Sequence, residues 1–359
     1  MRYKLLGRTG LYVSELCLGA MTFGGTGSMW QAIGRLDLQG AQALMGTALD
    51  AGVNFIDTAD VYSEGDSERI VGGALKALGR PREQVVVATK VRGRVGPGIN
   101  QVGLSRSHIL ASIDGSLQRL GLDHVDLYQI HGFDPVTPIE ETLRALDDVV
   151  RAGKARYLGF SNLPAWFASK AITFAAQNGL SRFESAQVYY SIAGRDIERE
   201  IAPMCQAEGL AILPWSPLAG GLLSGKFSAD KQGPADARRA AFDFPPVNME
   251  RLPRVLEALG KVAAETGTSV ARVALAWQLT KPFVTSIILG AKKPEQLADN
   301  LAAAELALTS EQVSALDQAS ALPPEYPGWM VQFQNSRDPR GVPQPPTDAQ
   351  VRAAAERLK

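Results

Sequence analysis

Apolar positions along the chain follow two alternating rhythms. Short apolar runs that stop abruptly at a polar or small residue recur as "VSELCLGAMTFG", "DAGVNFIDTA", "REQVVVATKV", "LDHVDLYQIHG", "AGKARYLGFSN", "SRFESAQVYY", "EGLAILPWSP" and "FVTSIILGAK". Runs of this length, bounded by turn residues, read as buried strands. Between them the spacing becomes helical. In "TPIEETLRALDDVVRAGK", Ile139, Leu143, Leu146 and Val150 share one face, and Gly153 ends the run. Thr137, Pro138 and Glu140 have the order of a capping box with proline in the first turn. "SRSHILASIDGSLQRLG" repeats the pattern through Ile109, Ile113, Leu117 and Leu120 up to Gly121. Eight strands alternating with helices imply parallel pairing through right-handed crossovers. With 359 residues, the expected fold is α/β, a (β/α)8 TIM barrel. A doubly wound open sheet is the alternative, but no GxGxxG follows the first strand. "YKLLGRTGLYVSE" reads as an N-terminal β-hairpin turning between Gly7 and Gly10. The expected single domain therefore has a hairpin over 1–14, a barrel over 15–320 and an extended, Pro-rich C-terminal tail over 321–359.

In a parallel barrel the C-terminal strand ends face one mouth, where active sites sit. The second run stops at Asp57, the third at Lys90 and the fourth at His131, with Tyr62 on the loop after Asp57. Neighbouring strands are about 5 Å apart, so a carboxylate, an ammonium, an imidazole and a phenol converge. A phenol titrates near pH 10 and is a weak acid at neutrality; a neighbouring ammonium favours its phenolate. Asp57 would hold Lys90 charged, and His131 would orient a carbonyl oxygen. Together they suit protonation of an oxygen as negative charge develops on it. Each residue alone reads equally as a solvated or structural group; their joint placement carries the functional reading.

Composition narrows the classes. Lys plus Arg and Asp plus Glu both number 37, which gives no electrostatic case for nucleic acid or an anionic membrane. No apolar run reaches spanning length, and the first residues carry no apolar leader core. Cys17 and Cys205 are the only cysteines, beside three histidines, so neither a disulfide framework nor a metal site is expected. A reduced, cytoplasmic protein is the economical expectation.

The converging residues are where the chain resembles the aldo-keto reductase family. "GVNFIDTADVY" is similar to that family's first signature, with Asp57 and Tyr62 at catalytic positions; "VVVATKV" and "LYQIH" supply Lys90 and His131. "LPWSPLAGGLLSGK" and "LGAKKPEQLADNLAAAE" resemble its cofactor-binding segments, and the likeness runs to about Ser320. The branch most resembled is that of bacterial reductases similar to aryl-alcohol dehydrogenases. The resemblance implies reduction of aldehydes or ketones, small-molecule carbonyl substrates, by hydride from NADPH bound across the mouth. It places Gly19, Ala20, Met21, Ser161, Asn162 and Gln187 about the nicotinamide, with Trp215 stacked on its ring, and counts Asp57 among the cofactor contacts as well. Ser216, Pro217, Leu218, Ala219 and Gly220 would line the pyrophosphate, with Lys226 reaching it and Arg238 clasping over it. Gly290, Lys292, Gln296, Asp299 and Asn300 would hold the adenosine end. Lys292 stands where many relatives carry Arg, which weakens bidentate phosphate recognition. Similar folds also serve as potassium-channel β-subunits, in which the position of His131 is usually Asn; the His kept here favours an enzyme.

"GGLLSGKF" nearly matches a P-loop, but Phe227 replaces the Ser or Thr that would hold magnesium. His124 reads as structural at a strand start, and His108 as a surface residue near a helix start. Phe23, Trp30, Phe133, Tyr326 and Trp329 lie outside the regular repeat as candidate substrate walls, and each reads equally as loop packing onto the barrel. Neither the physiological substrate nor the oligomeric state is legible.

Overall fold

The computed structural model describes residues 1–227, 239 and 242–336. They fall into two units, Met1–Ser320 and a C-terminal unit that begins at Ala321.

In the first unit, two short strands, β1 (Tyr3–Leu5) and β2 (Tyr12–Ser14), form an antiparallel hairpin. Eight parallel strands follow: β3 (Leu16–Gly19), β4 (Phe55–Asp57), β5 (Val86–Val91), β6 (Val125–Ile130), β7 (Ala155–Ser161), β8 (Phe183–Tyr189), β9 (Ala211–Trp215) and β10 (Ile287–Leu289). Their order in the sheet is β10-β3-β4-β5-β6-β7-β8-β9. A bridge between Ile212 and Val284 brings the two edges together, so the barrel is nearly closed. Each of the eight apolar runs forms one of these strands, and helices such as Asp66–Leu78, Arg106–Leu120 and Ile139–Arg151 cover them outside. The fold is a (β/α)8 barrel carrying an N-terminal hairpin.

Period-two alternation divides the core. A large apolar cluster lies between strands and helices. A smaller one joins hairpin residues Leu6 and Val13 to Cys17, Phe55, Val86, Ala88, Leu127, Ala211 and Leu213. The hairpin thus supplies part of an apolar floor inside the barrel, beneath a polar layer of inward-facing residues nearer the C-terminal strand ends.

Two local expectations are corrected. Thr137 does not cap the helix Ile139–Arg151, whose N-cap position is Pro138 with no side-chain cap. Asp134 takes over: it accepts from Thr137 Oγ1 at 2.8 Å and from the amides of Val136 and Leu104 at 2.9 and 2.7 Å, while Glu140 pairs with Lys170. His108 is not a surface residue. Capped by Ser105, its helix turns the imidazole inward, where it is buried.

Gly72 shows how closely the outer helices pack. A Cβ there would lie 2.1 Å from the Leu120 carbonyl oxygen at the end of the next helix. Gly72→Ala should destabilise the protein by about 1–3 kcal/mol through overpacking, despite alanine's better helix propensity. Gly46→Ala, whose Cβ would meet only Leu78 at an ordinary 3.5 Å, should leave stability equal or higher. Thermal denaturation of both variants checks this; equal midpoints would mean that the helices shift freely at Gly72.

Candidate active site

The polar layer is organised round Lys90. Its side chain is fully buried, and an ammonium has three protons to place. Nζ donates to Asp57 Oδ1 at 2.5 Å, to the Thr58 carbonyl at 2.8 Å and to the Tyr62 hydroxyl oxygen at 3.3 Å. The other carboxylate oxygen of Asp57 accepts from Gln129 Nε2 at 3.1 Å and Gln187 Nε2 at 2.9 Å. Burial pushes the Lys90 ammonium toward neutrality, but Asp57 and Tyr62 outweigh it and raise its pKa above the ordinary lysine value. The room for Gln129 comes from Gly159 on the next strand: a Cβ there would lie 3.1 Å from Gln129 Cγ and 2.3 Å from Ser185 Oγ.

Tyr62 accepts from Lys90 and faces two more rings across the mouth. His131 lies at 5.5 Å and Trp30 at 5.6 Å between ring centroids, both edge-on. Burial, the Lys90 ammonium and the Arg92 guanidinium hold the His131 imidazole well below the ordinary histidine range, so it is neutral at neutral pH. The phenol thus accepts a hydrogen bond from an ammonium and lies beside a neutral imidazole.

The backbone at this rim is strained. Ser63, Glu64, Arg92, Asn162, Ser216 and Ala219 are the non-glycine residues with positive φ among those described. All lie on loops that follow the C-terminal ends of β4, β5, β7 and β9. Ser63, with φ 49°, is held by its hydroxyl bond to the Phe23 carbonyl at 3.0 Å. Such conformations cost about 1–3 kcal/mol each and persist where surrounding contacts impose them.

A cavity of about 440 Å³ opens at this mouth. Of the residues proposed from sequence, Gly19, Met21, Trp30, Asp57, Tyr62, His131, Ser161, Asn162, Gln187, Trp215, Ser216, Pro217 and Gly290 line it. Trp215 donates from Nε1 to Asn162 Oδ1 at 3.0 Å, and Phe244 stacks on its ring at 5.6 Å and 11°. After it, Ser216, Ala219, Gly220 and Gly221 all carry positive φ, and the amides of Ala219, Gly220 and Gly221 are used within the turn. The amide of Leu218 takes no acceptor among the described residues.

Other residues are placed differently. Phe23 is fully buried beneath the loop rather than on the cavity. Phe133 packs edge-on against Phe167 at 4.8 Å. Asp299 gives both oxygens to Arg272 NH2 at 2.7 Å and Ser269 Oγ at 2.6 Å, which fastens the start of the helix Val270–Leu279. Asn300 is buried, Ala20 lies under the rim with its carbonyl accepting from Ser67, and Lys226 is exposed. Gln296 Oε1 accepts from the Lys292 amide at 3.1 Å, just before the helix Pro294–Leu301. Arg238 lies outside the described residues; its neighbour Arg239 is buried, donating to the Ala219 carbonyl at 3.1 Å and pairing with Asp243. Tyr326 and Trp329 belong to the C-terminal unit, with ring centroids 6.0 Å apart.

Arg92, Gln129, Phe242 and Phe244 escaped the sequence reading. Gln129 had a signal: it stands two residues before His131, on the same face of an otherwise apolar strand. The two phenylalanines come from a loop without periodicity.

A family model for aldo/keto reductases matches residues 15–321. The chain belongs to the aldo/keto reductase family. Among its relatives are a probable voltage-gated potassium channel subunit beta of Oryza sativa subsp. japonica, 39% identical over 88% of this chain and 96% of that protein. The uncharacterized oxidoreductase YrpG of Bacillus subtilis is 39% identical over 87% of this chain and 93% of its own. Versiconal hemiacetal acetate reductase of Aspergillus parasiticus is 35% identical over 91% and 99%. Membership makes the chain an oxidoreductase-type protein of a family that generally uses NAD(P)H. What the mouth offers such a cofactor is the Gln187 side-chain amide, a glycine-rich turn after β9, and open space where a Cβ on Gly290 would sit; the Trp215 indole is packed by Phe244 and by Tyr189 at 5.2 Å.

The two depressed imidazoles have a consequence for stability. His131 and His108 are both held below the ordinary histidine value, His108 chiefly by burial and against a hydrogen bond with Gly93. The unfolded chain therefore takes up protons near pH 6.5 that the folded chain refuses, so stability should fall as pH drops below about 6.5. The slope reaches about 1.4 kcal/mol per pH unit for one proton. His131→Asn should flatten this limb in denaturant titrations between pH 7 and 5. An unchanged slope would mean that His131 takes up its proton over the same pH range folded and unfolded.

Proposed function

We propose that the chain is an NADPH-dependent reductase of aldehydes or ketones, with Tyr62 as the general acid. The observation that carries this reading is the Lys90 ammonium placed between Asp57 Oδ1 and the Tyr62 hydroxyl oxygen. Because Tyr62 accepts from Lys90, its own proton is directed elsewhere, toward an oxygen bound in the cavity. The ammonium stabilises the phenolate left behind. Asp57, fixed by Gln129 and Gln187, keeps the ammonium charged and in place. The neutral His131 beside Tyr62 orients the carbonyl oxygen through a ring nitrogen. Trp30 and Phe244 supply apolar walls that exclude water from an oxygen gaining charge. A reduced nicotinamide, when bound, supplies a hydride. The residues that would hold it are Gly19, Met21, Ser161, Asn162, Gln187 and Trp215, then Ser216 to Gly220, and Lys292, Lys293 and Gln296 beyond Gly290.

The preference for NADPH rests on the start of the helix Pro294–Leu301. Lys293 is its N-cap and Lys292 precedes it, so two cations stand where the helix already favours an anion. Gln296, bonded to the Lys292 amide, is fixed alongside.

A second reading is a cofactor-bound regulatory subunit with little turnover, favoured by the likeness to the rice protein named as a channel subunit beta. The histidine at 131 supports the enzyme instead. A purified sample that binds NADPH but reduces nothing across a panel of diverse aldehydes and ketones would favour the regulatory role.

Tyr62→Phe should lower kcat by about 10²–10⁴-fold while NADPH binding, followed by fluorescence titration, stays nearly intact. Turnover close to that of the parent would remove Tyr62 as the acid. Changing Lys292 and Lys293 together to Ala should raise KM for NADPH, leave KM for NADH nearly unchanged, and flatten the salt dependence of NADPH binding. Equal weakening of both cofactors would assign the lysines to the fold or the pyrophosphate.

A further inference from the structure

Arg92 stands just past the end of β5, two residues beyond Lys90, and lines the cavity. Its backbone has φ 144°, a conformation that favours glycine, yet the longest cationic side chain occupies it. The guanidinium is fixed from one side only. Nε donates to the Phe133 carbonyl at 2.9 Å, and the side chain runs over the backbone of Gly132, where a Cβ would come 3.6 Å from both Cδ and Nε. Among the described residues no carboxylate pairs with it. Its neighbour Arg94 turns away to the carbonyls of Gly96 and Gly98.

The charge balance of the cavity singles this residue out. Asp57 is neutralised by Lys90 and bonded by two glutamine amides, and the His131 imidazole is neutral. The rest of the wall is largely apolar, with Trp30, Ile33, Val61, Phe242 and Phe244. Arg92 is the one uncompensated charge among the described lining residues. Sheet order also sets it apart from most of the cofactor positions: apart from Asp57 on β4, those come from β7, β8, β9, β10 and β3, whereas β5 lies between β4 and β6. We propose that Arg92 selects carbonyl substrates bearing a carboxylate, which it binds through the terminal nitrogens of its fork while the carbonyl meets Tyr62. This rests on the reductase reading above.

The test uses the full chain and substrates matched in size: 3- and 4-carboxybenzaldehyde against 3- and 4-methylbenzaldehyde, with NADPH. Wild type should favour at least one carboxylate in kcat/KM, through KM, by about 10- to 100-fold. The preference should shrink as ionic strength rises. Arg92→Gln should remove most of it, and Arg92→Lys should restore part through charge without the fork. KM for NADPH should be the same in all three proteins. No preference in wild type, or a parallel loss on both substrate types in Arg92→Gln with the ratio unchanged, would overturn the proposal; so would a raised KM for NADPH in place of the lost ratio. If none of these aldehydes were reduced, the reductase reading would be in trouble separately. Calorimetric binding of 3- and 4-carboxybenzyl alcohol against their methyl counterparts, with and without NADP, then decides for Arg92. Tighter, salt-sensitive carboxylate binding lost in Arg92→Gln supports it, and equal binding overturns it.

Discussion

The constraint on which the site depends is the need to satisfy one buried ammonium. Removing Lys90 from water costs several kcal/mol unless its protons and its charge are all met. The barrel meets them with three acceptors, two from β4 and the first residue beyond it, one from the following loop. Each acceptor creates a further demand. Asp57 needs donors for its second oxygen, which β6 and β8 provide through Gln129 and Gln187. Gln129 needs space, which β7 provides by having glycine at 159. The polar layer therefore spans strands far apart in sequence. No one member can be lost without leaving another uncompensated.

Around that layer the loops hold strained conformations. A strand end is a precise but limited platform, since side chains alternate and every second one points away from the barrel interior. Placing a phenol above the ammonium, and an indole across from it, requires the chain to turn sharply as it leaves each strand. The positive φ values at Ser63, Asn162 and Ser216 are those turns. Their cost is offset by side-chain bonds to neighbouring loops, such as Ser63 to the Phe23 carbonyl. This also explains why Phe23 is buried: its backbone is the anchor, and its ring fills the space beneath.

The strands were legible because a barrel strand buried on both faces leaves an apolar run that ends where the mouth begins. Asp57, Lys90 and His131 were visible as the polar residues that end those runs, and Tyr62 as the aromatic just beyond. What stayed hidden depends on competition between neighbours. Thr137 has the right position to cap, but Asp134 offers a carboxylate to several amides of the same turn and takes the role. Asp299 lies in a segment that resembles a cofactor site, yet Arg272 and Ser269 from another helix claim it. His108 looked solvated because its position near a helix start does not show that the ring turns toward Gly93 on the loop after β5. Such outcomes turn on which partners the tertiary fold brings within reach, and no local pattern records that.

The same contrast divides the work of the site. The strands carry groups whose charges cancel: Lys90 against Asp57, with a neutral His131 and side-chain amides around them. A layer balanced in this way attracts no particular charged ligand. The loops carry what is unbalanced, an apolar wall of Trp30, Phe242 and Phe244 and the cation of Arg92. Because they are connected to the strands only through backbone turns and single hydrogen bonds, such as Arg92 to the Phe133 carbonyl, they can vary without disturbing the ammonium and its acceptors. Function lives in sites grafted on a fold, and loops are where such sites vary, so relatives at 35–39% identity can carry such different names as a channel subunit and a hemiacetal acetate reductase.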